Sequence, residues 1–142
     1  MSTNCLIAKQ VGNDSYLTIY CHSDGYPSYT GNMLLEHYNT PEKVNDLLAL
    51  GDLSILKKKL SPNPTLPHSF SNRQKDVTVA YGRDRGEEDV EAKTLTLSQL
   101  DKQYMPYVYV FTKDNVWKCF ETGQVKKGLC DLAECLNTSD NL

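Results

Sequence analysis

An α+β fold is predicted, with an antiparallel sheet of about four or five strands and helices packed mainly on one face. Three observations predict it. Strand-like runs come in adjacent pairs joined by turn residues, amphipathic helical runs cluster between those pairs, and the resulting order is ββαα(α)βαββα. With 142 residues, the chain is about one domain's worth, enough to bury a single core.

The first pair is CLIAKQ (5–10) and YLTIYC (16–21), rich in β-branched and aromatic residues, with Val11 to Ser15 supplying hairpin turn residues. In the second strand Leu17 and Ile19 share one face. Tyr16, Thr18 and Tyr20 share the other, so this strand is expected to bury one side and present a polar aromatic one. His22 to Pro27 then breaks the strand: Gly25 accepts positive φ, and Pro27 disfavours helix at Tyr26. Ser28 or Thr30 is expected to cap a helix carrying Met33, Leu34, Leu35, His37 and Tyr38, with Asn39 ending it at a position that tolerates a left-handed residue.

Thr40-Pro41-Glu42 combines a cap, a residue preorganised for the first helical turn and an acid at the positive end of the dipole. Val44, Leu47 and Leu48 form the buried stripe of that helix, and Gly51 stops it. Asp52 is read as the cap of a further short helix over 53–60, with Leu53, Leu56 and Leu60 on one face and Lys57 to Lys59 at its C-terminal end. Residues 61–75 hold three prolines and many small polar residues, hence a long surface loop in which His68 is solvated. A strand is expected over 77–81. Thr96 and Gln99 make a capping box for a helix to about Tyr104. Residues 107–112 and 116–120 form a second hairpin across Lys113-Asp114-Asn115, and Leu129, Leu132, Ala133 and Leu136 mark a C-terminal amphipathic helix.

Charge and cysteine usage bound the function. A formal charge of −3 argues against nonspecific duplex binding, which needs a basic surface to neutralise phosphates. No run approaches the ~18 consecutive apolar residues of a membrane helix, and the N-terminus lacks the pattern of a signal peptide, so a cytoplasmic protein is expected. Five cysteines without CxxC spacing argue against a disulfide framework, and Cys130 and Cys135 read as buried thiols.

Two segments concentrate ligand-binding groups: His22, Asp24, Tyr26 and Tyr29, and then Tyr81, Arg83, Asp84 and Arg85. If their strands neighbour one another and both loops leave the same sheet edge, they line one pocket. Tyrosines stack on planar groups, and arginines between Gly82 and Gly86 suit phosphate or carboxylate, the alternative being a salt-bridged turn with Asp84, Glu87 and Glu88. The His22–Asp24 pair lacks companion metal ligands. Neither segment matches a Walker loop or dinucleotide fingerprint, and no nucleophile elbow, zincin motif or EF-hand loop is present. No cofactor, metal or catalytic residue is therefore expected, and enzyme activity is the less favoured reading.

The N-terminal MST and the motifs YCHSDGYPSYTGNMLLEHYNTPEKV, LLALGDLSIL and TVAYGRDRGE resemble a widespread group of small proteins encoded by tailed bacteriophages and prophages. The resemblance covers residues 1–121, implying a core domain over 1–121 and a C-terminal extension over 122–142 with one amphipathic helix, since the group's pattern ends soon after YVYVFTKDNVWKCF. The stripe of that extra helix is expected to bury itself against the domain or a second subunit, which favours a homo-oligomer. Small accessory phage proteins commonly act on the host, and some, including the Thoeris anti-defence proteins, sequester nucleotide immune signals. By that analogy the resemblance implies a counter-defence protein in the cytoplasm of the infected bacterium, binding a cyclic nucleotide or ADP-ribose derivative through His22, Asp24, Tyr26, Tyr29, Tyr81, Arg83 and Arg85. A direct inhibitor of a host defence protein ranks second and a small nucleotide hydrolase third.

Overall fold

The computed structural model describes residues 3–123, 128–134 and 136. The chain runs β1 (Cys5–Gly12), β2 (Ser15–Cys21), a π-helical turn (Pro27–Gly31) leading into α1 (Asn32–His37), α2 (Pro41–Ala49) and β3 (Leu53–Ile55). It continues through β4 (Val79–Ala80), α3 (Tyr81–Arg85), β5 (Lys93–Leu95), α4 (Leu97–Asp101), β6 (Tyr107–Phe111), β7 (Trp117–Phe120) and β8 (Cys130–Asp131). The strands form one sheet in the order β4-β3-β2-β1-β6-β7-β8, with β5 also paired to β2.

The fold is α+β, but its sheet has eight strands and is mixed rather than antiparallel. Both expected hairpins form, β1 with β2 and β6 with β7. They join through a parallel pairing of β1 with β6, and β2 also runs parallel to β3. Such pairings need long crossovers, and the segments between β2 and β6 provide them. β2 is flanked on one side by β1. On its other side β5 pairs with Tyr16 to Thr18 and β3 with Cys21. The Tyr20 amide, lying between those two partners, donates instead to Asp52 Oδ1 at 2.9 Å. Asp52 thus completes a strand edge rather than capping a helix. Burial pushes its carboxyl up, while the Tyr20 amide pulls the other way.

The element caps follow their residues. Thr40 Oγ1 accepts from the Lys43 amide, Pro41 opens α2, and Val44, Leu47 and Leu48 are buried. The Thr96–Gln99 capping box has both of its hydrogen bonds, although α4 ends at Asp101. Gly51 has φ 76° where a Cβ would lie 2.3 Å from the Val90 carbonyl oxygen, so only glycine fits this stop.

Other local expectations fail for identifiable reasons. The helix read over 53–60 is instead β3 followed by an extended stretch ending in a Lys59–Val77 bridge. Its backbone is spent sideways: Leu53 and Ser54 carbonyls accept from His22 and Ser23, and the Lys57 amide donates to Thr78 Oγ1. Leu53 and Leu56 are buried because the sheet edge places them there, not because they share a helical face. The strand expected over 77–81 stops at Ala80, where Tyr81 begins α3. Neither Ser28 nor Thr30 caps: Tyr26 is the cap residue, without a side-chain bond, and Pro27 opens the turn. α1 ends at His37, with Tyr38 as its C-terminal cap residue.

Both faces of the sheet are covered. On one, Ile7, Ile19, Tyr109, Phe111 and Trp117 pack with Leu34 of α1 and Val44, Leu47 and Leu48 of α2. On the other, Leu6, Ala8, Tyr16, Val108 and Val110 pack with Leu100 of α4. Helices therefore lie on both faces, and the side of β2 expected to stay polar buries Tyr16 and Thr18. Residues 132–134 and 136 are helical, and Leu132 and Leu136 enter the first of these cores. Leu129 lies against the second and Ala133 is exposed, so the C-terminal stripe is used largely within the subunit and self-association loses the surface from which it was inferred. Cys5, Cys21 and Cys119 are free and buried, whereas Cys130 is exposed and disulfide-bonded, contrary to its reading as a buried thiol. Cys135 lies outside the described residues. Among the described residues no helix is long and apolar enough to cross a membrane.

Candidate functional site

The turn after β2 is built inward. Asp24 adopts φ 54°, and its carbonyl accepts from Thr30 Oγ1 at 2.6 Å. The Gly25 carbonyl accepts from the buried Tyr109 hydroxyl at 2.6 Å, and a Cβ on Gly25 would lie 2.8 Å from Cys5 Cβ and 2.9 Å from the Thr3 oxygen. Tyr29 donates to the Leu56 carbonyl at 3.0 Å, and burial pushes its phenol up. Tyr26 is 38% exposed and meets Tyr29 edge-on, while the Lys57 ammonium stands 5.8 Å from the Tyr29 ring centroid. His22 Nδ1 lies 2.7 Å from the Tyr20 hydroxyl, forming a tyrosine–imidazole pair. Asp24 serves this turn through its backbone.

The second segment is a helical turn, closed by Gly86 at φ 75°. Its hub is Asp84, whose side chain is 3% exposed. Arg83 grips this carboxylate through Nε at 2.8 Å and Nη2 at 3.0 Å, and the Ala80 amide adds a bond at 2.8 Å. Arg83 also donates from Nη1 to the Leu60 carbonyl and from Nη2 to the Thr78 carbonyl, so every nitrogen of its guanidinium is engaged. Burial alone would raise the Asp84 carboxyl, but the bonds from Arg83 and Ala80, the guanidinium charge and His68 outweigh it and hold the group below the usual range.

His68, expected in solvent, has a side chain only 3% exposed. Its Nδ1 accepts from the Gln74 amide at 3.0 Å, which assigns the ring proton to Nε2. Nε2 stands 3.3 Å from Asp84 Oδ2, within ion-pair distance but without hydrogen-bond alignment. The Phe70 amide donates to the Asp84 carbonyl at 2.9 Å. The proline-rich segment is thereby bound down along this turn.

One consequence is an aromatic and cationic cluster. Phe70 and Tyr81 stack with centroids 5.6 Å apart and an interplanar angle of 27°. The Arg73 and Arg85 guanidinium carbons each lie 4.8 Å from the Phe70 centroid, and Arg85 is 5.6 Å from that of Tyr81. Arg85, with a half-exposed side chain, also pairs with Glu87 at 2.7 Å. Phe70 and Arg73 were not selected from the sequence. The available signal was an aromatic residue followed three positions later by an arginine within an otherwise small, polar loop.

The two predicted segments do not leave the sheet on the same side. β2 is parallel to β3 and β4 is antiparallel to β3, so the chain leaves β2 at His22 and β4 at Tyr81 in opposite directions. Tyr20, at the end of β2, bonds to His22, and burial pushes its phenol up, with Tyr81 adding to the shift. A separate surface cavity of about 300 Å³ is lined by His37, Tyr38, Lys43, Asp46, Lys58, Leu60 and Ser61, none of them among the seven predicted ligand-binding residues. Among the described residues, no group of three or more histidine, cysteine or acidic side chains is placed to hold a metal.

No protein-family model matches the chain, and comparisons with curated proteins and with solved structures return no match.

Proposed function

We propose that this chain binds and sequesters a nucleotide-type ligand, as a phage-encoded counter-defence protein acting in the cytoplasm of the infected bacterium. The observation that carries the reading is the placement of two guanidinium groups on the ring of Phe70, beside the stacked Tyr81. Aromatic faces take the π-surface of a base, and arginine forks take phosphate oxygens. Arg85 belongs to this ligand set with Tyr81, while Phe70 and Arg73 join it. Arg83 is assigned to holding the turn, because Asp84 and two carbonyls occupy its donors.

A second reading, direct binding to a host defence protein, is supported by Tyr104, which is 87% exposed with φ 57°. An exposed tyrosine is a common anchor at protein interfaces.

The test is a thermal-shift screen of the full chain against cyclic nucleotides and ADP-ribose derivatives, followed by mass analysis of recovered ligand. Sequestration predicts a rise in melting temperature with the ligand recovered intact. A cleaved product would make the protein a hydrolase. The absence of any shift, with titration calorimetry also silent, would overturn the nucleotide reading.

A further inference from the structure

We propose that Cys5 and Cys21 are an oxidation site, a pair of thiols held face to face across the first hairpin that a peroxide joins into a disulfide once the strand end opens. The proposal is independent of the nucleotide reading. Cys5 and Cys21 are partners in the β1–β2 register, so their side chains leave the same face of the sheet. Both are free, fully buried and packed in the same core. The Tyr20 and His22 amides point away from β1, to Asp52 and to the Leu53 carbonyl, so Cys21 between them turns its own backbone toward Cys5. Such a hydrogen-bonded pair holds its Cα atoms about 5.5 Å apart, inside the range of about 4.4–6.8 Å that a disulfide spans. Cys119, the third free thiol among the described residues, has no such partner: it stands opposite Tyr109 in β6 and Cys130 in β8, and Cys130 is already disulfide-bonded.

The folded chain protects the pair. Burial, reinforced by the hydrogen bond and charge of Cys21, pushes the Cys5 thiol well up against a smaller pull from Thr30. The thiolate is the reactive form, so the closed pair reacts slowly. Its cover is the turn after β2: the Gly25 amide donates to the Thr3 carbonyl at 2.8 Å, and a Cβ on Gly25 would lie 2.8 Å from Cys5 Cβ. Release of that turn bares Cys5, the first residue of β1. One thiolate then attacks hydrogen peroxide, giving a sulfenic acid and hydroxide. The other thiol attacks the sulfenic sulfur, forms the S–S bond and expels water. Two electrons pass from the sulfurs to the peroxide, and the two thiol protons end in two water molecules.

Peptide mapping of the full chain, treated with hydrogen peroxide at graded sub-denaturing urea and then alkylated, tests this. The expected product joins the Cys5 and Cys21 peptides with the loss of two hydrogens, at a rate that rises with urea as the turn opens. It should keep the circular dichroism of the reduced chain and melt at or above its temperature, because the bridge closes a loop of the unfolded chain. In Cys21→Ser, Cys5 lacks a resolving thiol and should advance to sulfinic acid. Independent oxidation of both cysteines in the unmodified chain, a bridge from either to Cys119, or a bridged product that has lost the fold would overturn the inference. So would a rate indifferent to urea, or two thiols that stay fully alkylatable while Cys119 oxidises.

Discussion

The turn from His22 to Tyr29 and the turn from Tyr81 to Gly86 both begin where a strand ends and both carry tyrosine, charge and glycine, yet they spend their polar groups differently. In the first, Tyr29, Thr30 and Tyr109 all donate to backbone carbonyls, and Gly25 is clamped against residues 3–5. In the second, Arg83 and Asp84 are consumed by the fold while Arg85, two residues after Arg83, stands half exposed on an aromatic pair. A residue type able to bind a ligand becomes available for one only when neighbouring backbone has not already claimed its donors.

The largest expected break in this contrast is Gly25→Ala. The new methyl would meet Cys5 Cβ and two backbone atoms inside 3 Å, with no flexible side-chain end to yield. A loss of about 3 kcal/mol in urea unfolding is expected. An alanine variant as stable as the parent would show that the first turn is not clamped.

Asp84→Asn comes next, at about 2 kcal/mol, because it weakens a nearly buried carboxylate that receives bonds from Arg83 and Ala80. Its pH dependence has a defined sign. The folded carboxyl is depressed, so its contribution is complete above the unfolded value of about 4 and is lost as the pH falls through the lower folded value. The stability gap between parent and variant should be flat from neutral pH to about pH 5 and close in stronger acid. A gap that widened on acidification would contradict the Arg83–Asp84 account.

Tyr29→Phe removes the hydroxyl bonded to the Leu56 carbonyl and should cost about 1 kcal/mol, measured by the same unfolding titration. Any effect on nucleotide affinity greater than its effect on stability would return the first turn to the ligand site.

The smallest stability change is expected for Arg85→Gln, under about 0.5 kcal/mol, since its ion pair with Glu87 is solvent-screened. Here the contrast sharpens: ligand affinity should fall while the melting temperature holds. Glu87→Gln should act in reverse and tighten anion binding by releasing Arg85. Calorimetry on the two variants checks both directions.

Much of the fold was legible because it is written locally. The two hairpins, the Thr40-Pro41 helix start and the Thr96–Gln99 box depend on residues within a few positions of one another. β3 was misread because Leu53, Leu56 and Leu60 fall at helical spacing, while the bonds that extend this segment come from His22, Ser23 and Thr78. The short strand β5 and the parallel pairings have no local signature. The candidate site divides in the same way. Tyr81 and Arg85 were visible as types, but the difference between Arg83 and Arg85 lies in the Leu60 and Thr78 carbonyls. Phe70 and Arg73 become site residues only because His68 and Asp84 draw their loop onto α3, a distant pairing that spacing does not encode.

The parallel pairing of β1 with β6 also has a consequence for synthesis on the ribosome. β1 lies in the interior of the sheet, yet one of its two neighbours is made from residues 107–111. While the chain emerges, the β1–β2 hairpin must wait with an apolar edge unpaired until most of the protein has been translated. Residues such as Leu6 and Ala8 gain the company of Val108 and Val110 only then. The nascent hairpin therefore keeps an unpaired edge through most of synthesis, and slow translation between codons 25 and 105 would prolong its exposure rather than relieve it.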